Sequence, residues 1–132
     1  MADFDLAVVG AGPGGYPAAI LAKRKGFEKV ALIEKEKSGG VCLQIGCIPS
    51  KILLNAVKNH GHVADLEKEE VFLGAVPKYN YPKLIAFSQK RVAEITGGLE
   101  WLFEQNKISL IRGMARFIGP RELLIDTGTG KE

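Results

Sequence analysis

Two cysteines among 132 residues are too few for the disulfide framework that staples a small secreted domain. A secretory leader is missing from the reading as well: Met1-Ala2-Asp3-Phe4-Asp5 is acidic where a signal peptide is basic. Long apolar runs are scarce. The uncharged stretch from Leu6 to Ala22 is interrupted by four glycines and two prolines, and it falls short of the ~20 residues a spanning helix needs. These shortages lead to the expectation of a soluble, cytoplasmic protein with no membrane partner, in which a cysteine pair serves redox chemistry rather than structure. Charge of one sign is also lacking, with 18 Lys and Arg against 15 Asp and Glu and a net charge of +3. Nucleic-acid binders concentrate basic charge on one face, so no nucleic-acid partner is expected. Disorder is excluded by a hydrophobic content of 46%.

What the chain has in excess is glycine. Sixteen occur, about 12% of the residues against a usual ~7%. They cluster at residues 10–15, 39–46, 97–98 and 128–130. Glycine placed this way marks tight turns and close approach of the backbone to something else.

Residues 5–9 form a short apolar, β-branched run that ends in glycine, the pattern of a parallel strand covered on both faces. From Gly14 to about Lys25 the spacing predicts a helix with a basic C-terminus, ended by Gly26. Pro17 falls near the end of its first turn and is expected to remove one helix hydrogen bond. Residues 30–34 are a second apolar strand, so the first 34 residues have the length of one βαβ unit. A helix is predicted around 48–60, with Pro49 in its first turn. Residues 61–82 read as a connection. Residues 83–105 are helical in spacing, with Gly97-Gly98 as a break or close-packing point. Ile108–Ile111 is a third strand. Residues 115–118 and 122–126 are two short strands joined at Gly119-Pro120-Arg121. The turn signal over residues 127–131 then has no returning strand after it.

The first glycine cluster satisfies G-x-G-x-x-G between a predicted strand and a predicted helix. Glu34 lies nineteen residues after Gly15, at the end of the second strand. Each part has a physical task in binding a dinucleotide. Gly10 makes the tight turn, Gly12 lets a pyrophosphate approach the backbone, and Gly15 lets the helix pack on the strand. The helix N-terminus offers free N–H groups and partial positive charge to phosphates. Glu34 accepts from a ribose hydroxyl and disfavours a 2′-phosphate.

Cys42 and Cys47 lie in GGVCLQIGCIPSK, residues 39–51. Three readings compete. The first is a pair of buried free thiols acting as small hydrophobes. With His60 they nearly copy zinc-finger spacing, but His60 and His62 have one residue between them where the finger needs three to five. The third reading is a reversible disulfide. It carries a geometric demand, because residues five apart in a regular helix have Cα atoms about 8.6 Å apart, whereas a disulfide needs less than ~7 Å. Gly46 and Pro49 suit the required distortion, and Lys51 one turn beyond a helix starting near Cys47 favours a thiolate.

Taken together, VVGAGPGGY (Val8 to Tyr16), ALIE (Ala31 to Glu34) and GGVCLQIGCIPSK resemble the flavoprotein pyridine nucleotide–disulfide oxidoreductases. Thr96-Gly97-Gly98-Leu99, Asn106-Lys107 and Gly113 to Phe117 are most similar to the members that oxidise dihydrolipoamide. The resemblance implies an α/β, Rossmann-like FAD/NAD(P)-binding domain, a parallel sheet with a βαβ unit plus a small β-meander. It implies FAD at Gly10, Gly12, Pro13, Gly14 and Gly15, with Glu34 on the adenosine ribose. Lys35, Gly39, Gly40, Val41 and Cys42 would line the flavin side, Lys51 would lie near the flavin N5, and the backbone of Ala115 would touch the adenine. Cys47 would be the charge-transfer thiolate and Cys42 the interchange thiol. No resident metal is implied.

The same resemblance sets expectations about what the chain does not contain. No second glycine fingerprint for NAD occurs, and no His–Glu pair of the interface domain. His60 and His62 read instead as solvated residues at a helix end. Residues 1–132 are therefore expected to be the N-terminal part of an FAD domain, incomplete at the C-terminus, without dehydrogenase turnover alone. The full enzyme is expected to use NAD, to be a homodimer and to meet dihydrolipoamide on lipoyl-domain proteins. Another disulfide or mercuric reductase of the family, or a stand-alone nucleotide-binding redox module, are the alternatives.

Overall fold

The computed structural model describes residues 2–74 and 76–128. Asp5 sets the first register. Its carboxylate accepts from the Glu28 and Lys29 backbone N–H groups at 2.9 and 2.8 Å, which aligns β1 (Leu6–Val9) with β2 (Val30–Glu34). The two run parallel with Leu6 opposite Val30. Between them α1 (Gly15–Arg24) ends as expected. Gly26 has φ +96°, and the Gly26 and Phe27 N–H groups donate to the Lys23 and Ala22 carbonyls, a glycine-terminated helix stop. The bond expected to be lost at Pro17 is missing, because Tyr16 donates to the Gly12 carbonyl four residues back and Pro17, next in line, has no N–H; falling in the first turn, it leaves α1 intact.

The remaining elements are α2 (Gly40–Gln44), α3 (Cys47–Lys68), α4 (Tyr81–Gln105), β3 (Ile108–Arg112), β4 (Met114–Gly119) and β5 (Glu122–Asp126). β3 joins the parallel sheet with Ile108 opposite Val30, giving the order β1-β2-β3 with every residue of β2 buried. β4 and β5 pair antiparallel. Among the described residues this two-stranded hairpin is what corresponds to the small β-meander, and residues 129–131 of the last turn signal lie outside them.

The main core cluster lies on one face of the sheet, while Ala31 and Ile33 of β2 are buried on the other. Leu6, Val8, Val30, Leu32, Ile108 and Leu110 share the core face with Ala19 and Ala22 of α1 and Leu99 and Phe103 of α4. Cover on both faces was the expectation for β1, and it fails there. Both helices pack on the Leu6/Val8 side, and Ala7 and Val9 on the other side are exposed.

Two helices are longer than their spacing predicts. α3 continues eight residues past 60, because a glycine at 61 with nothing within 4 Å of a would-be Cβ lowers helix propensity without ending the helix. The connection shrinks to residues 69–80. α4 starts at Tyr81, where the Asn80 side chain accepts from the Lys83 N–H at 3.1 Å and Pro82 occupies the first turn. It then runs unbroken through Gly97 and Gly98. Neither glycine is a break or a close-packing point: both are exposed, and a Cβ on either would meet nothing within 4 Å.

By length and composition alone, Gly40–Lys68 is apolar enough to cross a membrane, with an 18-residue window of mean hydropathy 1.4. It is two helices interrupted at Ile45 and Gly46, a break that lipid-facing backbone does not tolerate.

Candidate functional site

The glycine loop is built from the end of β1 inward. Gly10 donates to the Ile33 carbonyl at 2.7 Å, and the Gly12 carbonyl accepts from both Gly15 and Tyr16. A Cβ on Gly15 would lie 1.8 Å from the Gly10 oxygen, so the helix start and the strand end approach too closely for any other residue. On the opposite side, a Cβ on Gly14 would meet nothing within 4 Å, and no side chain caps the N-terminus of the ten-residue α1. The positive end of α1, next to a loop backbone without side chains, fits the pyrophosphate of a dinucleotide.

Glu34 stands beside this loop, as its spacing requires, and is 8% exposed. Its two carboxylate oxygens are already engaged: one accepts from Ala11 N–H at 2.8 Å and the other from Glu36 N–H at 2.9 Å. A carboxylate has about four acceptor positions, so a ribose hydroxyl still has lone pairs to meet. Holding the loop closed is a second task that the sequence pattern does not reveal.

The second glycine cluster touches the first. Gly39 donates to the Ala11 carbonyl at 2.8 Å. Gly39 and Gly40 have φ of +98° and +62°, and a Cβ on Gly40 would come within 2.9 Å of the Gly12 Cα, with Pro13 beside it. The pyrophosphate loop and the cysteine segment thus form one surface. α2 carries Cys42 off this contact. It ends at Gln44, Ile45 leaves the helical region, and α3 restarts at Cys47. The break satisfies the geometric demand: Cys42 and Cys47 are disulfide-bonded with their Cα atoms 4.7 Å apart. Gly46 permits it, since a Cβ there would lie 2.9 Å from the Val41 oxygen and 3.3 Å from the Cys42 Cα. Cys42 is half-buried and Cys47 exposed.

The bridge displaces the free-thiol and zinc readings. His60 is not a solvated helix end. It sits within α3, half-buried, stacked on Tyr79 at 4.4 Å with Nε2 2.8 Å from the Pro77 carbonyl. His62 lies on the same helix and is exposed. Among the described residues no group of three or more His, Cys, Asp or Glu is arranged for a metal.

The other predicted residues are placed less tightly. Lys51 is exposed on α3 one turn after Cys47, lining a groove with Ile48, Ile52, Phe87 and Arg91. Val41 is exposed, and Lys35 pairs with its neighbour Glu36 at 3.6 Å in solvent. Ala115 is half-buried on β4, opposite Ile125. The Gly113 N–H, two residues earlier, donates to the Glu34 carbonyl at 3.0 Å, which ties this strand to the end of β2.

A polar cluster behind the cysteines is absent from the sequence reading as a site. Gln44 Nε2 donates to the Ser38 carbonyl at 2.7 Å and to Thr96 Oγ1 at 2.8 Å. Ser38 Oγ donates to Glu100, which pairs with Arg112, and Arg112 also donates to the Glu36 carbonyl at 2.7 Å. Its members are up to 76 residues apart, so no local spacing announces them. The polar Gln44 within an otherwise apolar α2 is the one signal available.

Residues 4–130 match the sequence profile of the pyridine nucleotide-disulphide oxidoreductases. Among curated proteins, the chain is 45% identical over 130 residues to dihydrolipoyl dehydrogenase of Thermus scotoductus, covering 98% of this chain and 27% of that protein. It is 42% identical over 132 residues to the Manduca sexta dihydrolipoyl dehydrogenase, covering 98% and 26%. The mitochondrial dihydrolipoyl dehydrogenase of Rattus norvegicus is 37% identical over 130 residues, covering 97% and 25%. The chain therefore spans about a quarter of the length of these relatives. With its glycine loop at a helix N-terminus packed on the Gly39-Gly40 segment that leads into a C-x4-C disulfide, and matched from residue 4 to residue 130, this chain belongs to the pyridine nucleotide-disulphide oxidoreductase family.

Proposed function

We propose that this chain is the FAD-binding, disulfide-bearing part of a dihydrolipoamide dehydrogenase. The observation that carries the reading is the contact between Gly12 and Gly40, which joins a dinucleotide loop to the Cys42–Cys47 bridge. The N-terminus of α1 and the loop glycines hold the pyrophosphate, and Glu34 meets the adenosine ribose. When bound, FAD supplies the acceptor for the electron pair and its route to NAD.

The disulfide does the sulfur chemistry. A dithiol attacks Cys42 as thiolate, one S–S bond forms and one breaks, and Cys47 leaves. Cys47 is the better leaving group because it starts the 22-residue α3, whose N-terminus stabilises a thiolate. The second thiol of the substrate then closes its own disulfide and releases Cys42, so two electrons and two protons pass from substrate to chain. The substrate implied is dihydrolipoamide carried by lipoyl-domain proteins of 2-oxo acid dehydrogenase complexes. The whole protein is proposed to be a cytoplasmic homodimer.

Incubation with dihydrolipoamide, quenched by an alkylating agent and weighed by mass spectrometry, tests this. The chain should gain two alkylated thiols and release one lipoamide, and Cys42→Ser should release none. Cysteines that alkylate fully before any dithiol is added, or a bridge that dihydrolipoamide leaves intact, would contradict it.

A further inference from the structure

α2 is weakly anchored for an element that carries a reacting sulfur. It has five residues, buries only Leu43 and has no side-chain cap. Besides the two-residue backbone connection Ile45–Gly46, the Cys42–Cys47 bond is its one side-chain covalent link to α3, and that link is the one opened in each exchange. The polar cluster lies on the other side of α2. Thr96 spends its hydroxyl proton on the Val92 carbonyl at 2.9 Å, so its oxygen is left to accept from Gln44. Ser38, fully buried, presents its carbonyl to the same amide nitrogen. Its hydroxyl is fixed by Glu100 at 2.9 Å and by Arg112 at 3.2 Å. Gln44 thus ties the end of α2 to the 25-residue α4, which packs on the sheet through Leu99 and Phe103.

We propose that Gln44, held by Thr96 and Ser38, is a positioning residue that keeps α2 in place after the disulfide opens and so sets the dithiol–disulfide equilibrium. The proposal rests on the reading of Cys42 and Cys47 as an exchanging pair. With the tether intact, the reduced form retains Cys42 near Cys47, and little conformational freedom is lost on closing the bond. Without it, reduced α2 gains freedom that the bridged form does not have, and the dithiol is favoured.

The test is equilibration of the full chain in glutathione buffers, followed by alkylation and mass spectrometry. As the chain bridge forms, glutathione disulfide breaks to two glutathione thiols, and two electrons and two protons leave the chain. Gln44→Leu and Thr96→Val should each lower the equilibrium constant for bridge formation about fivefold, the worth of about one net hydrogen bond, equal to about 20 mV for a two-electron couple. Both should also raise the fraction held as a single-glutathione adduct. Thr96→Ser, which keeps the hydroxyl, should match the native chain. Thermal unfolding shows whether each variant folds, and Thr96→Val, which conserves shape on a long helix, decides the matter if Gln44→Leu does not. An unchanged constant in folded Thr96→Val, or a Thr96→Ser as impaired as Thr96→Val, would overturn the proposal. A native chain that forms no bridge in any of these buffers overturns the exchanging-pair reading itself, and the proposal with it.

Discussion

A methyl group on Gly15 would sit 1.8 Å from the Gly10 carbonyl oxygen, and neither backbone has a side chain to move aside. Gly15→Ala should destabilise the chain by about 3 kcal/mol, at the upper end for overpacking, read as a lower midpoint in urea. Glu34 gives a different kind of prediction. Ala11 is fully buried and its N–H has the Glu34 carboxylate as acceptor. Glu34→Ala orphans that donor and should cost about 1–3 kcal/mol without any ligand present. A denaturation midpoint equal to the native one would show that Glu34 does not hold the loop. The motif spacing identified Glu34 correctly as lying beside the glycines. It was silent on the backbone bonds, because an acceptor for Ala11 N–H is a property of the folded turn.

At the scale of elements, the strands and the first helix were legible because each has its own period and its own stop signal. α1 ends at Gly26 with the hydrogen bonds that a glycine stop requires. The errors fall at glycines inside helices: the helix predicted around 48–60 stops short of Gly61, and Gly97-Gly98 reads in the sequence as a break or close-packing point. Gly61, Gly97 and Gly98 all lie inside helices with nothing within 4 Å of a would-be Cβ. Tertiary packing of Leu99 and Phe103 on the sheet carries α4 through its weak point. It follows that Gly97→Ala and Gly98→Ala should each stabilise the chain by about 0.5–1 kcal/mol, seen as a higher Tm. A lowered Tm in either would mean that α4 needs its glycines. Phe103, 1% exposed and 6.3 Å from the Tyr16 ring, binds α4 to α1. Phe103→Ala should remove about 3–5 kcal/mol in the same melt.

Over the whole molecule, the site was more legible than its surroundings. Both glycine clusters and both cysteines carry their chemistry in short, contiguous strings, so Gly10 to Gly15 and Gly39 to Cys47 could be read directly. Their mutual contact could not, since Gly12 and Gly40 are brought together by the turn after β2 and not by any period. The same holds for the cluster of Ser38, Gln44, Thr96, Glu100 and Arg112, and for the stacking of His60 on Tyr79. The one-sided cover of β1 was equally hidden, because a run such as Leu6–Val9 is apolar whether one face or two are packed.

The central claim is that the glycine loop and the disulfide serve one dinucleotide. A fluorescence titration of FAD into the full chain, run once with Cys42–Cys47 bridged and once with it reduced, addresses that claim directly. Saturable one-to-one binding is expected, with a flavin emission that differs between the two sulfur states. Gly12→Ala should weaken it at least tenfold while leaving the fold intact, since the added Cβ lies 3.8 Å from the Gly40 Cα, an ordinary contact. Binding of NAD without FAD, or flavin emission indifferent to the state of the sulfurs, would contradict the account.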